Sequence, residues 1–187
     1  MKKQSRVTFL ILLCVFISLQ SLGGCKKKEP ILTNYKLFKN AVLSFQHPVT
    51  WVSSENGSNV TVTGPQEENY FVNMKFDYNL ESNLSLDEFM KTVEDQNRIT
   101  DLPGFVDGGK KNLDLIAGKA IQRSLKTIVN TAYSSNPVTL YVKLTYIVKN
   151  QKIGFVLTME VPEKSYPRYE EIFNNMLNSF RILAITK

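Results

Sequence analysis

Imidazole and thiol groups, which take part in most nucleophilic catalysis, are rare in this sequence. The 187-residue chain has one histidine, His47, and two cysteines, Cys14 and Cys25. A Ser-His-Asp or Cys-His arrangement would have to use His47, which lies directly before Pro48, where regular backbone pairing is interrupted. We therefore expect His47 to be a surface or packing residue, and we predict neither a catalytic set nor a metal site.

Two pairs of acids and two glycine-containing segments are the remaining patterns that chemistry could use. We interpret Glu67-Glu68 as part of a polar loop and Glu170-Glu171 as the first turn of a helix, and both as solvated charge rather than a glycosidase pair. Pro103-Gly104 and Gly108-Gly109 match neither spacing of the phosphate-binding motifs and are predicted to be turns. The sequence therefore predicts a protein that is not an enzyme and needs no cofactor.

The first 24 residues have the three-part layout of a secretory signal peptide. Residues 1–8 are basic, residues 9–19 are an apolar run, and residues 20–24 are polar and small. Spanning a bilayer takes about 20 apolar residues, so an uncut transmembrane anchor is the weaker interpretation. We predict that residues 1–24 are removed and that Cys14 leaves with them.

The stretch Leu22-Gly23-Gly24-Cys25 resembles the lipobox of bacterial lipoproteins, which ends a signal peptide with an apolar residue, two small residues and a cysteine. The resemblance implies cleavage between Gly24 and Cys25, a diacylglyceryl group on the Cys25 thiol, and often a fatty acid such as palmitate on the new amine. Two acyl chains make anchoring stable. The three lysines at 26–28 either add attraction to anionic head groups or only solvate the tether. We predict a membrane anchored by lipid and a protein facing outward, at the cell surface or in the periplasm.

The mature chain would carry a modest positive charge. Removing Lys2, Lys3 and Arg6 lowers the formal charge from +6 to +3. The remaining basic residues are scattered among acids, so we predict no nucleic-acid partner. Residues 25–34 are predicted to be the lipidated cysteine and a tether, and residues 35–187 one domain, long enough to bury a core.

Alternation of apolar and polar residues predicts strands through most of this domain. It is clearest at residues 70–79 and again at 138–148, where Lys143, Thr145 and Lys149 are predicted to lie on the opposite, polar face. A tight turn joins the latter to residues 153–161, so these two strands are antiparallel neighbours. Further strands are predicted at 35–38, 42–45, 59–63, 112–116 and 120–129.

Two amphipathic helices are predicted. Ser85 and Glu88 form a capping box before a helix that ends near Arg98. Ser165 and Pro167 begin the second helix, whose apolar face is formed by Ile172, Phe173, Met176, Leu177 and Phe180. The sequence predicts an α+β fold, with a central antiparallel sheet and helices packed on both faces.

The order of three motifs resembles that of the PsbP-like family. The motifs are Leu43-Ser44-Phe45-Gln46-His47-Pro48 followed by Trp51, Leu115-Ile116-Ala117-Gly118-Lys119-Ala120, and Met176-Leu177-Asn178-Ser179-Phe180-Arg181-Ile182. The resemblance implies an α/β/α sandwich and an extracytoplasmic, often lipid-anchored protein that binds or helps assemble other proteins. In photosynthetic members the partner is photosystem II. His47 stands where the family more usually has Tyr or Phe.

Two aromatic residues, Phe71 and Tyr141, lie on the polar faces of their strands. They are predicted to belong either to a second buried face under a helix or to a partner surface. We expect a lipid-anchored, non-enzymatic protein-binding or assembly module whose partner is unknown. The alternative is a lipoprotein that binds a small ligand or delivers it to a transporter, which a deep apolar pocket would favour. An enzyme using carboxylates alone is the third interpretation.

Overall fold

Ten antiparallel strands form two sheets in a computed structural model that describes residues 33–79, 83–131, 136–150 and 152–183. The strands are β1 (Tyr35–Lys39), β2 (Leu43–Pro48), β3 (Val52–Asn56), β4 (Asn59–Glu67), β5 (Tyr70–Asn79), β6 (Val106–Leu115), β7 (Gly118–Val129), β8 (Val138–Lys149), β9 (Ile153–Pro162) and β10 (Arg181–Ile182). The large sheet has the order β3-β4-β5-β9-β8-β7-β6, and the small one has the order β1-β2-β10. All described residues lie in one compact unit, Ile31–Lys187.

The small sheet packs on the large one through aromatic rings. Phe45 of β2 is fully buried and stacks on Phe76 of β5, with ring centroids 3.9 Å apart. Phe38 of β1 stacks on the other side of this pair, 5.1 Å from Phe45. The alternation at residues 70–79 therefore predicts the buried side of β5 correctly, because Val72, Met74 and Phe76 are all buried.

Two helices complete the fold. Helix α1 (Leu86–Gln96) begins with the predicted capping box: the Glu88 amide donates to Ser85 Oγ, and the Ser85 amide donates to the Glu88 carboxylate at 3.0 Å. Helix α2 (Tyr166–Ser179) has Pro167 in its first turn, where the missing N–H is harmless. Phe180 lies just beyond α2, yet it is fully buried, as its place in the predicted apolar face requires.

The two helices lie against opposite sides of β8, since α1 contacts an even-numbered residue of the strand and α2 an odd-numbered one. Phe89 of α1 meets Tyr146 edge-on, with centroids 6.5 Å apart, whereas Tyr166 of α2 lies 4.1 Å from Tyr141. We call the side that carries Val142 and Tyr146 the groove side, and the side that carries Tyr141 the opposite side. The antiparallel sheet and both helices are confirmed. Helices on both faces are confirmed only in part, since α2 packs largely against β2 of the small sheet.

Strand β8 is buried on both sides, which corrects one expectation. Lys143 is 4% exposed and Thr145 is fully buried, although both lie on the face predicted to be polar. Lys149, at the end of the strand, is exposed as predicted. Lys143 can be buried because Glu170 of α2 lies 3.1 Å from its ammonium group and the Tyr166 ring lies 4.8 Å away. A strand in mid-sheet keeps polar residues when a second layer supplies their partners.

The edge strand β6 begins earlier than predicted, at Val106. The pair Gly108-Gly109 is therefore not a turn but part of this strand, at a bulge between Asp107 and Lys110. Gly109 has φ +87, and Asp107 accepts its backbone N–H. Glycine is required there because a bulge of this kind needs a positive φ.

A candidate ligand-binding groove

A cavity of about 980 Å³ lies between α1 and the groove side of the sheet. Its floor is apolar and comes from the two strands beneath α1, with the buried residues Leu125, Leu140, Val142, Leu144 and Tyr146. Alternation places these residues on one side, and the β7–β8 register sets Leu125 opposite Val142. The size is at the upper end of ligand pockets, which hold about 300–1,000 Å³.

The wall of the groove is formed by α1 and the turn that follows it. Phe89 and Val93 project from α1, and Ile99 and Leu102 follow in the connection to β6. Phe89 is 5% exposed and lies directly on Gly154 of β9, where a side chain would overlap with its ring. The capping box fixes the start of α1, and the glycine lets the helix approach the sheet closely.

Ion pairs on the groove side also fix α1 to the sheet. Glu94 of α1 pairs with Arg123 of β7 and accepts a hydrogen bond from the Tyr146 hydroxyl at 3.4 Å. Arg123 also lies 3.1 Å from Asp107, and its guanidinium covers the Phe105 ring. Burial, together with the Glu94 carboxylate, raises the pKa of Tyr146. The phenol therefore remains a donor, and the floor is closed at this end by a fixed polar contact.

The other side of the groove is polar and comes from β9 and β5. Lys75 Nζ lies 2.8 Å and 2.9 Å from the two Glu160 carboxylate oxygens, and Tyr70 donates its hydroxyl to Glu160 at 2.7 Å. Burial, together with the charge of Glu160, raises the pKa of Tyr70, so the phenol stays protonated. Asp77, two residues beyond Lys75, accepts a hydrogen bond from the Asn59 side chain.

This arrangement is suited to binding rather than to proton transfer. Glu160 is held by Lys75 and Tyr70, so it is a fixed hydrogen-bonding group and not a free general base. Across the described ranges, no three His, Cys, Asp or Glu side chains come close enough together to hold a metal ion. An apolar floor with a few placed polar groups at one edge is the usual build of a ligand site.

The two aromatic residues singled out from the sequence do not lie together. Phe71 is 46% exposed on the groove side of β5, beyond the part of the sheet that α1 covers. Tyr141 packs against Tyr166 of α2 on the opposite side. Neither residue lines the groove. The predicted signal peptide and the cleavage and lipidation site at Gly24 and Cys25 lie outside the described residues.

His47 and two of the paired acids have packing roles. His47 is 1% exposed, and its Nδ1 lies 3.1 Å from the carbonyl oxygen of Pro48. Glu67 is not solvated charge, because it accepts hydrogen bonds from Tyr169 at 2.7 Å, Arg168 at 2.7 Å and Ser165 at 3.3 Å. The hydrogen bond from the Tyr169 hydroxyl is the main cause that lowers the pKa of Glu67. Through these contacts, Glu67 joins β4 to α2.

Glu170 makes a second contact between α2 and the sheet. It accepts a hydrogen bond from the Tyr166 hydroxyl and pairs with Lys143. The hydrogen bond from Tyr166 is the largest cause that lowers the pKa of Glu170, and the hydrogen bond from Lys143 is the next largest. Glu67 and Glu170 therefore both hold α2 in place. The prediction of solvated charge was wrong for Glu67, whereas Glu170 is 47% exposed and is both paired and solvated.

Sequence reasoning missed the polar residues of the groove. The strands β5 and β9 alternate regularly between apolar and polar residues. Their polar positions include Lys75, Thr158 and Glu160, and the sequence alone indicates only that these side chains face solvent. Their pairing depends on the β5–β9 register, which sets Lys75 opposite Thr158 and Asn73 opposite Glu160. The one available signal was an acid and a lysine in strands that carry only one other charge, Asp77.

Comparison with solved structures identifies the fold. The solution structure of the cyanobacterial PsbP protein CyanoP from Synechocystis matches with a TM-score of 0.54 and 15% identity, over 87% of this chain and 99% of that one. LpqN of Mycobacterium tuberculosis, described as involved in cell envelope biogenesis, matches with a TM-score of 0.56 and 14% identity, over 76% and 83%. The Saccharomyces cerevisiae Ran-binding protein Mog1p matches with a TM-score of 0.53 and 13% identity, over 80% and 96%.

The protein therefore has a PsbP-like fold, as the order of its sequence motifs implies. A scan against models of protein families and a search of curated proteins each found no match to the sequence. Within the described ranges, no helix combines the length and the hydropathy that crossing a membrane requires.

Proposed function

We propose that this protein is a non-enzymatic binding module, held at the outer face of a membrane by a lipid on Cys25, and that its groove binds a small, largely apolar ligand. The observation that carries the proposal is the groove itself. The groove has a volume of about 980 Å³, and buried aliphatic side chains form its floor. A surface that only packed against another domain would not need a cavity of this size.

The anchor part of the proposal rests on the sequence. A basic and apolar leader ends at Gly24, the lipobox cysteine follows, and β1 begins ten residues later at Tyr35. This leaves residues 25–34 as a tether between the acyl chains and the domain. A mass spectrum of the N-terminal peptide from native membranes should show a diacylated Cys25. Cys25→Ala should remain uncleaved, and an unmodified Cys25 in the wild type would overturn this part.

The ligand part can be tested on protein extracted from its own membrane. Native mass spectrometry of the full chain should show a bound small molecule. Val156→Trp should lose it, because Val156 lines the groove and an indole would fill the space. Val106→Trp is the matched control, since Val106 is exposed on the edge strand and does not line the groove. No bound molecule in the wild type, or equal retention in Val156→Trp, would contradict ligand binding in the groove.

A protein partner is the second candidate, and the uncovered part of the groove side favours it. Phe71 is 46% exposed there and Val52, on the same side of β3, is 68% exposed. The name of Mog1p describes a protein-binding role for another chain with this fold. A photo-crosslinking amino acid at position 71 should capture a protein in intact cells, whereas one at Ile116, a turn residue that is 70% exposed, should not. Equal capture at both positions would remove the support for this surface.

A further inference from the structure

We propose that the groove takes a single-chain amphiphile with an uncharged, hydroxyl-bearing head, its chain under α1 and its head over β9 and β5. The proposal rests on the ligand-binding function proposed above and names the class of ligand.

The first argument is a change of polarity across the strands. The floor on β7 and β8 is aliphatic, with Leu125, Leu140 and Val142. One strand further, β9 contributes Val156 and then Thr158 and Glu160, and β5 beyond it contributes Lys75 and Asp77. Neighbouring strands lie about 4.8 Å apart, so the groove passes from aliphatic to charged within about 10 Å. A ligand that fills it must have an apolar part and a polar part.

The second argument is the shape of the apolar part. The floor of β8 runs from Leu140 to Tyr146, which is about 20 Å along an extended strand. Helix α1 lies above it, with Phe89 and Val93 turned toward the space. A long strip covered by a helix fits an extended chain better than it fits a compact ring system.

The third argument is charge. The ionisable groups among the lining residues, apart from tyrosines, are Lys75, Asp77 and Glu160, which together carry one negative charge at neutral pH. Lys75 is paired with Glu160 at 2.8 Å, so its charge is already neutralised, and an anionic head would meet the carboxylate of Asp77. A cationic head would find the Glu160 carboxylate taken by Lys75 and Tyr70, and the Asp77 carboxylate already hydrogen-bonded to the Asn59 side chain.

A hydroxyl-bearing head fits these groups better than an ion does. A hydroxyl can donate to Asp77 or Glu160, and it can accept from Lys75, whose ammonium has three N–H donors. Because it carries no charge, it leaves the Lys75–Glu160 pair intact, whereas an ion would have to compete with it.

The test uses the full chain in its own membrane and three photoreactive probes that share one diazirine-bearing acyl chain. The probes are a monoacylglycerol, the corresponding fatty acid and the corresponding acylcholine. We expect the monoacylglycerol to label peptides from α1 and β8, and the fatty acid to label them about tenfold less, a difference of about 1.4 kcal/mol in binding free energy. Excess unlabelled monoacylglycerol should remove the labelling, and Val156→Trp should abolish it while Val106→Trp keeps it.

A charge reversal tests the head-group argument. Asp77→Lys should raise fatty-acid labelling of the same peptides by about tenfold, because it turns the polar edge positive. Asp114→Lys makes the same change of net charge on the exposed edge strand, outside the groove, and should leave the labelling unchanged. Thermal unfolding of each variant checks that it is folded.

The outcomes separate the two proposals. Equal labelling of the groove by all three probes would overturn the uncharged head and leave ligand binding standing. Labelling confined to residues near the anchor, or labelling that Val156→Trp does not reduce, would overturn the amphiphile. If native mass spectrometry also found no bound molecule, the proposed ligand-binding function would fall with it.

Discussion

The ring of Phe89 lies on the backbone of Gly154, so α1 reaches β9 only because position 154 has no side chain. A Cβ atom there would overlap with the ring carbons of Phe89. Gly154 lines the groove beside Val156, so this contact sets the height of α1 above the floor. Packing between one helix and one glycine thus determines how much space the groove contains.

Gly154→Ala should therefore lower stability by about 1–3 kcal/mol, the usual range for overpacking a buried site. The added methyl must push Phe89 and with it α1. Urea denaturation followed by far-UV circular dichroism measures the loss. Adding Phe89→Leu should recover part of it, because the smaller side chain makes room, and the two changes should not add. Strict additivity would mean that the glycine is not required for this contact.

Glu67→Gln should lower stability by about 1–2 kcal/mol, because hydrogen bonds to a charged acceptor contribute more than neutral ones. Tyr169 should account for most of this, since Arg168 is mostly exposed and an exposed ion pair contributes little. A double-mutant cycle with Tyr169→Phe measures the coupling. Glu68→Gln, the exposed neighbour, should change stability by less than about 0.5 kcal/mol. An equal loss of stability at positions 67 and 68 would contradict the role of Glu67 in holding α2.

His47 should make the protein less stable as the pH falls below about 6.5. Burial, and then the charge of Lys36 opposite it on β1, lower the pKa of His47 from its ordinary value of 6.5. The unfolded chain therefore binds the proton more readily, so the contribution of His47 is complete above pH 6.5 and is lost as the pH falls through the folded-state pKa. Between pH 6.5 and 5.5 the loss should reach up to about 1 kcal/mol.

Guanidinium denaturation at several pH values measures this slope. His47→Gln should flatten it, whatever that variant does to stability at neutral pH. Lys36→Gln should flatten it in part, since one cause of the lowered pKa is removed. An unchanged slope in His47→Gln would assign the pH dependence to another group; Glu67 and Glu170 titrate in a lower range, because their pKa values are lowered from 4.5.

Lys143→Met should leave stability within about 1 kcal/mol of the wild type. Methionine keeps the aliphatic stem of the buried lysine, and Glu170, with 47% of its side chain exposed, can be hydrated once its partner is gone. Lys143→Ala should lower stability by about 2 kcal/mol, because it also removes the buried aliphatic stem and leaves a cavity. Thermal melts of both variants measure the difference. A loss as large for methionine as for alanine would show that the ion pair, not the stem, stabilises this region.

The sequence by itself determined both helices and most of the strands. The alternation at 70–79 and the capping box at Ser85 and Glu88 act over a few residues, so local chemistry decides them. It also predicted that His47 is a surface or packing residue, and the structure buries it.

Only the tertiary structure decided which faces are covered and where the groove lies. Alternation shows which side of β8 is more apolar, but not that the other side is covered too, where Lys143 pairs with Glu170 of α2 and Thr145 is fully buried. Lys75 and Glu160 are 85 residues apart, and they meet only through the register of β5 with β9. The groove between α1 and the sheet depends on how closely Phe89 approaches Gly154, a distance set by packing in three dimensions and not by any pattern within one segment.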